Sequence, residues 1–256
     1  FLHHGEEPGI SGEKGSGTIF FSGCNLKCAY CQNYRFSHTF EGNKVSSEDL
    51  ARIMVNLQEK GAENINLVTP THFLPWVMDG LAKAFRKGLS LPIVYNTSGY
   101  ETVQTVKLLG DAVDIYLADL RYVTPSVAER YSQAPDYPSV NRKALQKMYQ
   151  QKSAQWDGDL LKQGLVIRHL VLPGYVEETI KALTWINENT PEAILSLMFQ
   201  YQPYFKARLH PEINRRVNED EYEHVMDLLE ELELEGWVQD MSPEENMAGV
   251  HFRPSL

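Results

Sequence analysis

The sequence predicts an α/β protein, a partial (β/α)6 barrel of TIM type, on three observations. Six short β-rich runs alternate with segments of helical periodicity along the 256 residues; no linker, low-complexity tract or internal repeat divides them; and polar residues gather just after the β-rich runs. Parallel βα units need helices over the outer face of their sheet, and the intervening segments supply them. A doubly wound open sheet is the alternative architecture. One domain over 1–256 is expected, because a chain of this length buries most of the surface that its unfolded form exposes.

The first strand is expected at 18–22, running straight into a cysteine-bearing loop. Ser46 or Ser47 followed by Glu48 and Asp49 signals a helix N-terminus, and Leu50, Ile53, Met54 and Leu57 recur at helical spacing up to Gly61. A strand at 64–68 ends at Thr69-Pro70-Thr71, a helix fills 74–87, and a strand at 93–96 ends at Thr97-Ser98-Gly99. The second half repeats the rhythm with a helix at 101–109, a strand at 113–119 and helical segments across 126–151. An apolar strand at 165–172, closed by Pro173-Gly174, precedes a helix at 176–189, a sixth strand at 193–201 and an acidic amphipathic helix at 219–234. The acidic run 230–235 is read as a solvated helix face.

Function in either architecture gathers at the carboxyl ends of the strands. Those ends carry the cysteines, Thr69, Thr71 and His72, then Asn96 and Ser98, Asp119 and Arg121, Arg168 and His169, and Gln200 and Gln202. Because Arg168 and His169 alternate along their strand, one of them is expected to face the helices.

Composition narrows the function. Lys and Arg number 24 against 34 Asp and Glu, a formal charge of −10 that gives no electrostatic reason to expect nucleic acid as the main partner. Hydrophobic residues at 43% and charged residues at 23% are ordinary for a globular protein and exclude collagen-like and disordered chains. Nothing approaches the roughly 20 apolar residues of a bilayer span, so no membrane association is expected. The three cysteines all fall between positions 24 and 31. An odd, clustered set suits a metal site in the reducing cytoplasm rather than a disulfide framework. The chain starts at Phe1 without Met, so residues before it are expected to have been removed or left out, with any ligand or targeting signal they held.

Thiolates at spacings of four and three converge on one centre only if the loop wraps around it, and Gly23 permits the tight turn. A structural zinc site needs four ligands, the fourth being a residue such as His38. Ferredoxin clusters also use four cysteines. Three cysteines without a fourth leave one iron of a [4Fe-4S] cluster open to a substrate or cofactor.

Cys24, Cys28, Tyr30 and Cys31 fit the pattern C-x3-C-x-aromatic-C. Together with Glu7-Pro8-Gly9-Ile10, Phe20-Phe21-Ser22-Gly23 and Gln32-Asn33, this resembles the radical S-adenosylmethionine (SAM) superfamily. The chain looks most like PflX-like relatives of pyruvate formate-lyase activating enzyme, from about residue 6 to about 205. The resemblance implies the barrel of the radical SAM core. It also implies a [4Fe-4S] cluster ligated by Cys24, Cys28 and Cys31, with SAM on the open iron, cleaved after one-electron reduction to methionine and a 5′-deoxyadenosyl radical. It further implies an electron donor such as flavodoxin or ferredoxin, and a glycyl radical enzyme as protein substrate.

Carried over residue by residue, the resemblance gives SAM contacts to Tyr30, Thr69, Thr71, Asn96, Ser98, Asp119, Arg121 and Arg168; Gln200, a polar residue at the sixth strand end, is read from its position as a further contact. Thr69-Pro70-Thr71 stands where the family has Gly-Gly-Glu, while Asp119-Leu120-Arg121 keeps the family's charges. Each residue has a structural alternative: a cap or an Arg121 pair for Asp119, a strand-end ion pair for Arg168, a turn around Pro70 for the threonines, and core packing for the aromatics beside Gln200 and Gln202. Three functions follow: a radical SAM oxidoreductase activating a glycyl radical enzyme; a radical SAM enzyme modifying a small molecule, nucleoside or peptide; and a non-catalytic iron-sulfur or zinc protein.

Overall fold

The chain, seen in a computed structural model, is described over residues 1–232 and 234–239. Leu2–His3 (β1) and the short helix Pro8–Ser11 (α1) precede Ser16–Phe20 (β2), the cysteine loop and the helix Tyr34–Ser37 (α2). Helix Ser47–Glu59 (α3) closes the first βα step, and three more follow: Ile65–Val68 (β3) with Leu74–Arg86 (α4), Ile93–Thr97 (β4) with Val103–Leu109 (α5), and Ile115–Asp119 (β5) with Pro125–Ser132 (α6) and Tyr137–Gln151 (α7). Gln155–Asp157 (β6), Leu160–Leu170 (β7), Val176–Asn189 (α8), Ile194–Met198 (β8), Glu219–Glu231 (α9) and Gly236–Gln239 (β9) complete the described chain.

The strands lie in the order β1-β2-β3-β4-β5-β7-β8-β9, with β6 folded back onto β7. From β2 to β9 every neighbouring pair along this order is parallel, whereas β1 on β2 and β6 on β7 are antiparallel. An order that follows the chain without reversing is that of a barrel sheet, not of a doubly wound one, and the outcome is an open partial barrel. All residues of β3, β4 and β5 are buried, as strands covered on both faces require.

Two apolar layers hold this sheet. The large one joins the outer sheet face to the helices through Leu67, Tyr95, Leu145 and Leu183. The smaller one fills the interior, where Ile10 of α1 meets Val94, Leu117, Val166 and Ile194. Ile10 is fully buried, which stabilises the fold by about 1.5–3 kcal/mol and plugs the interior from the N-terminal side. At α3 the expected start is realised as a capping box: Asp49 N–H donates to Ser46 Oγ and Ser46 N–H to Asp49 Oδ2, each at 3.1 Å.

The expected boundaries shift for local reasons. The first strand occupies 16–20 rather than 18–22, because its parallel register with β3 runs from Gly17 on Ile65 to Phe20 on Val68, and Gly23 at φ 89° then turns the chain into the cysteine loop. The sixth strand stops at Met198, and residues 199–204 leave the sheet. The helical stretch 126–151 breaks at Gln133, which takes the left-handed conformation at φ 55°. The acidic helix ends at Glu231; residue 233 and residues 240–256 of the expected single domain lie outside the described residues. Among the described residues no helix is long and apolar enough to cross a membrane.

Candidate active site

Gly23 opens the cysteine loop in a conformation that favours glycine, and a Cβ there would meet the Phe40 ring at 2.8 Å and His72 Nε2 at 2.9 Å. The loop then seats on the end of α6: Lys27 N–H donates to Ser132 O at 3.2 Å and Ala29 N–H to Tyr131 O at 2.7 Å. Cys28 is buried, and Cys24 and Cys31 are half-buried. Each sulfur has a polar neighbour. Leu26 N–H donates to Cys24 Sγ at 3.4 Å, Ser132 Oγ donates to Cys28 Sγ at 3.0 Å, and Ser37 Oγ lies 3.1 Å from Cys31 Sγ.

Burial, and then the neighbouring Cys28, push the Cys24 thiol up to about 11 and the Cys31 thiol up to about 12. Thiols held neutral in this way must lose protons to a bound cation. Among the described residues no three His, Cys, Asp or Glu side chains form a ready single-ion site, and the His38 ring packs at a tilt against Phe205, with ring centroids 4.7 Å apart. Three thiols on one wrapped loop, each with a polar neighbour, fit an iron-sulfur cluster.

Beside the loop lies a cavity of about 200 Å³. Tyr30 and Cys31 form one wall, and Asn96, Asp119, Arg121, Arg168 and Gln200 face it from the strand ends. Arg168 organises the floor: its Nε donates to Asp119 Oδ1 at 3.0 Å, one terminal nitrogen to Asn96 Oδ1 at 2.6 Å, and the other lies 3.5 Å from Glu6 Oε2. Arg121 pairs with the other oxygen of Asp119 at 2.5 Å. Burial opposes the Arg168 charge, but Asp119, Glu7 and Glu6 outweigh it and raise its pKa. Burial also raises Glu6 and Glu7 above the usual carboxylate range, against the pull of Arg168. Among the described residues, Glu7 Oε2, Arg121 Nε and Gln200 Oε1 are buried without a hydrogen-bond partner, and all three residues line the cavity. A bound molecule with both donors and acceptors would satisfy them.

The structure thus brings Tyr30, Cys31, Asn96, Asp119, Arg121, Arg168 and Gln200 together, with Gln202 also on the lining. Thr69, Thr71 and Ser98 stand outside it. Thr69 holds φ 58° and donates its N–H to Asn96 O at 2.8 Å. Thr71 donates to the buried Glu101 at 2.5 Å, as Thr97 does at 2.7 Å. Ser98 donates to Asn25 Oδ1 at 3.3 Å and so ties the β4 end to the cysteine loop. His72 Nε2 lies 2.6 Å from Ser22 O. His169 is the residue that faces the helices, its ring nitrogens meeting Leu120 O and Thr179 Oγ1 of α8 at 2.6 and 3.0 Å.

Sequence reasoning missed Glu6 and gave no site role to Glu7, which it quoted within the Glu7-Pro8-Gly9-Ile10 motif; both reach the interior because α1 plugs it. It also missed Tyr137 and Asn141 of α7. The Tyr137 hydroxyl accepts from Arg121 N–H at 3.1 Å and lies 2.8 Å from Ser98 O, and Asn141 Nδ2 donates to Asp119 O at 2.8 Å. These two clamp the ends of β4 and β5. The one signal available was helical spacing, since residues 137 and 141 share a helix face.

Comparison with known proteins gives a consistent result. Residues 18–186 match the family model of the radical SAM superfamily. Uncharacterized protein MJ0674 of Methanocaldococcus jannaschii is 32% identical over 247 residues, covering 92% of this chain and 67% of that protein. The fold is similar to that of Streptococcus suis SuiB bound to precursor peptide SuiA (15% identity, TM-score 0.61, 87% of this chain and 48% of that one). It is equally similar to SuiB bound to S-adenosylmethionine (14%, TM-score 0.61, 91% and 53%). A domain of pyruvate-formate lyase-activating enzyme from Bacteroides vulgatus matches at 13% identity and TM-score 0.50, over 70% of this chain and all of that one. The chain spans about half the length of the SuiB structures. At these identities the structural likeness shows a shared fold, whereas the family match runs over more than half the chain and includes the cysteine loop. This chain belongs to the radical SAM superfamily.

Proposed function

We propose that the chain is a [4Fe-4S] radical SAM oxidoreductase that abstracts a hydrogen atom from a polypeptide substrate, the backbone glycine of a glycyl radical enzyme. One observation carries this reading: the only three cysteines sit on one loop whose last member, Cys31, opens onto a charged cavity built from strand carboxyl ends. Cys24, Cys28 and Cys31 would hold the cluster. When bound, the cluster and SAM supply a one-electron cleavage that yields methionine and a 5′-deoxyadenosyl radical.

The chain's own residues bind, orient and shield. Arg168 is already fixed by Asp119, Asn96 and Glu6, so it presents a preorganised cation for a carboxylate, while Asp119 and Asn96 offer acceptors for an ammonium or ribose hydroxyls. Tyr30 walls the cavity and keeps water from the reacting atoms. Thr71 and Ser98 act one step removed, through Glu101 and Asn25, and Thr69 through the Asn96 backbone. The electron would come from a flavodoxin or ferredoxin, in the cytoplasm.

The glycine assignment is supported by the sequence likeness of the cysteine region to the activating enzymes. A second reading, modification of a peptide, is supported by the fold shared with SuiB bound to its precursor peptide. Deuterated substrates separate them. Deuterium passing from a glycine of a partner protein into 5′-deoxyadenosine, with a glycyl radical signal in electron paramagnetic resonance, supports the first. Deuterium from a free peptide with no such signal supports the second. No transfer from any polypeptide overturns both.

A further inference from the structure

Four side chains run from the cavity wall to one cluster ligand. Tyr30 OH lies 2.6 Å from Tyr122 OH, Tyr122 OH 2.8 Å from Ser132 Oγ, and Ser132 Oγ 3.0 Å from Cys28 Sγ. Tyr30 is 5% exposed, and Tyr122 and Ser132 are 1% exposed, so bulk water does not compete for these bonds. The rings are fixed edge-to-face, Tyr30 on Tyr201 at 5.7 Å and Tyr122 on Tyr137 at 5.6 Å between centroids. Ser132 is held by the backbone as well, because its carbonyl and that of Tyr131 accept the N–H groups of Lys27 and Ala29 on either side of Cys28.

Proton count sets the direction of this chain. A metal-bound Cys28 is a thiolate without a proton, so Ser132 must donate to it. The Ser132 oxygen then accepts from Tyr122, and the Tyr122 oxygen accepts from Tyr30. Three protons point the same way, and each bond polarises the next. The other two sulfurs differ. Cys24 receives a backbone N–H, and the Ser37 hydroxyl beside Cys31 also reaches Asn33 O at 3.0 Å, so its single proton is contested.

Building on the function proposed above, we infer that Tyr30, Tyr122 and Ser132 form a one-way hydroxyl relay that sets the reduction potential of the cluster through Cys28 Sγ. Hydrogen bonds to cluster sulfurs are one of the protein's levers on potential. They spread the thiolate charge and so favour the reduced, more negative cluster. The relay therefore raises the potential, and its members are positioning residues that act through Cys28.

The test is a redox titration of the full chain, reconstituted anaerobically and followed by electron paramagnetic resonance of the reduced cluster, with iron and sulfide measured alongside. Ser132→Ala is expected to lower the potential at unchanged iron content. Tyr122→Phe lowers it less, in the same direction. Because the bonds lie in series, the double variant should shift no further than Ser132→Ala alone, whereas independent effects would add. A Ser132→Ala protein with a full cluster and wild-type potential overturns the relay, as do additive shifts. Should Ser132→Ala lose the cluster, Tyr122→Phe decides: a lowered potential supports the relay and an unchanged one overturns it. Wild-type protein that takes up no iron refutes the function reading itself, and the relay with it.

Discussion

Arg168 is the keystone of the cavity floor, and replacing it by Met keeps most of its stem while removing the guanidinium. Three carboxyls depend on that charge: Asp119 at 3.0 Å, Glu6 at 3.5 Å and, electrostatically, Glu7. The Arg168 side chain is 18% exposed, Asp119 9% and Glu6 8%, so solvent does little to replace the lost partner. Removing one member of a buried pair costs about 3–5 kcal/mol, out of a total stability of roughly 5–15 kcal/mol. For a chain of this size that lowers the melting temperature by about 6–20 °C. The loss depends on pH. Arg168 now opposes the upward shift of Glu6 and Glu7, so without it both bind protons at still higher pH in the folded state. The variant's stability therefore falls as pH rises through that window. Urea unfolding at pH 5.5 and 8 measures both effects, and Glu6→Gln added to Arg168→Met should recover part of the loss. A deficit below about 1 kcal/mol at pH 8, or one equal at both pH values, would refute the floor as described.

Further outcomes follow from single contacts. Glu7 has a folded pKa raised, chiefly by burial, above its ordinary 4.5, so it favours the fold while protonated and its contribution is lost as pH rises through the raised value; Glu7→Gln should flatten the fall of melting temperature above about pH 4.5. Gly99 holds φ 71°, and a Cβ there would overlap the Asn141 amide and the Asp119 carbonyl; Gly99→Ala should destabilise by more than about 1 kcal/mol in urea unfolding and weaken SAM binding by calorimetry. Ser46→Ala removes the α3 capping box and should cost about 1 kcal/mol with no change in SAM cleavage. An unchanged unfolding midpoint in either variant contradicts the contact assigned to it.

Where the sequence was legible, local rules coincided with the fold. Helix α8 spans 176–189, as its periodicity indicates, and the Ser46 cap starts α3 as its motif indicates. The apolar runs at β3, β4 and β5 read as strands because both their faces are buried. The strands that escaped notice lack that signal. All three residues of β6 are exposed, and β9 alternates exposed and half-buried positions at the sheet edge. Nor does pattern reveal that α1 plugs the interior; that is a tertiary fact, and it alone carries Glu6 and Glu7 to Arg168. The same limit explains Ser132, which lies 104 positions from Cys28 and reads in sequence as an ordinary helix residue. Spacing located the cysteines, but their hydrogen-bond partners come from elements that only the folded chain brings near.

SAM cleavage by the reconstituted, reduced protein tests the central claim most directly. Wild-type protein should be brown, hold about one [4Fe-4S] cluster and release 5′-deoxyadenosine from SAM, and Cys28→Ala should release none. A colourless protein that binds one zinc and leaves SAM intact would contradict it.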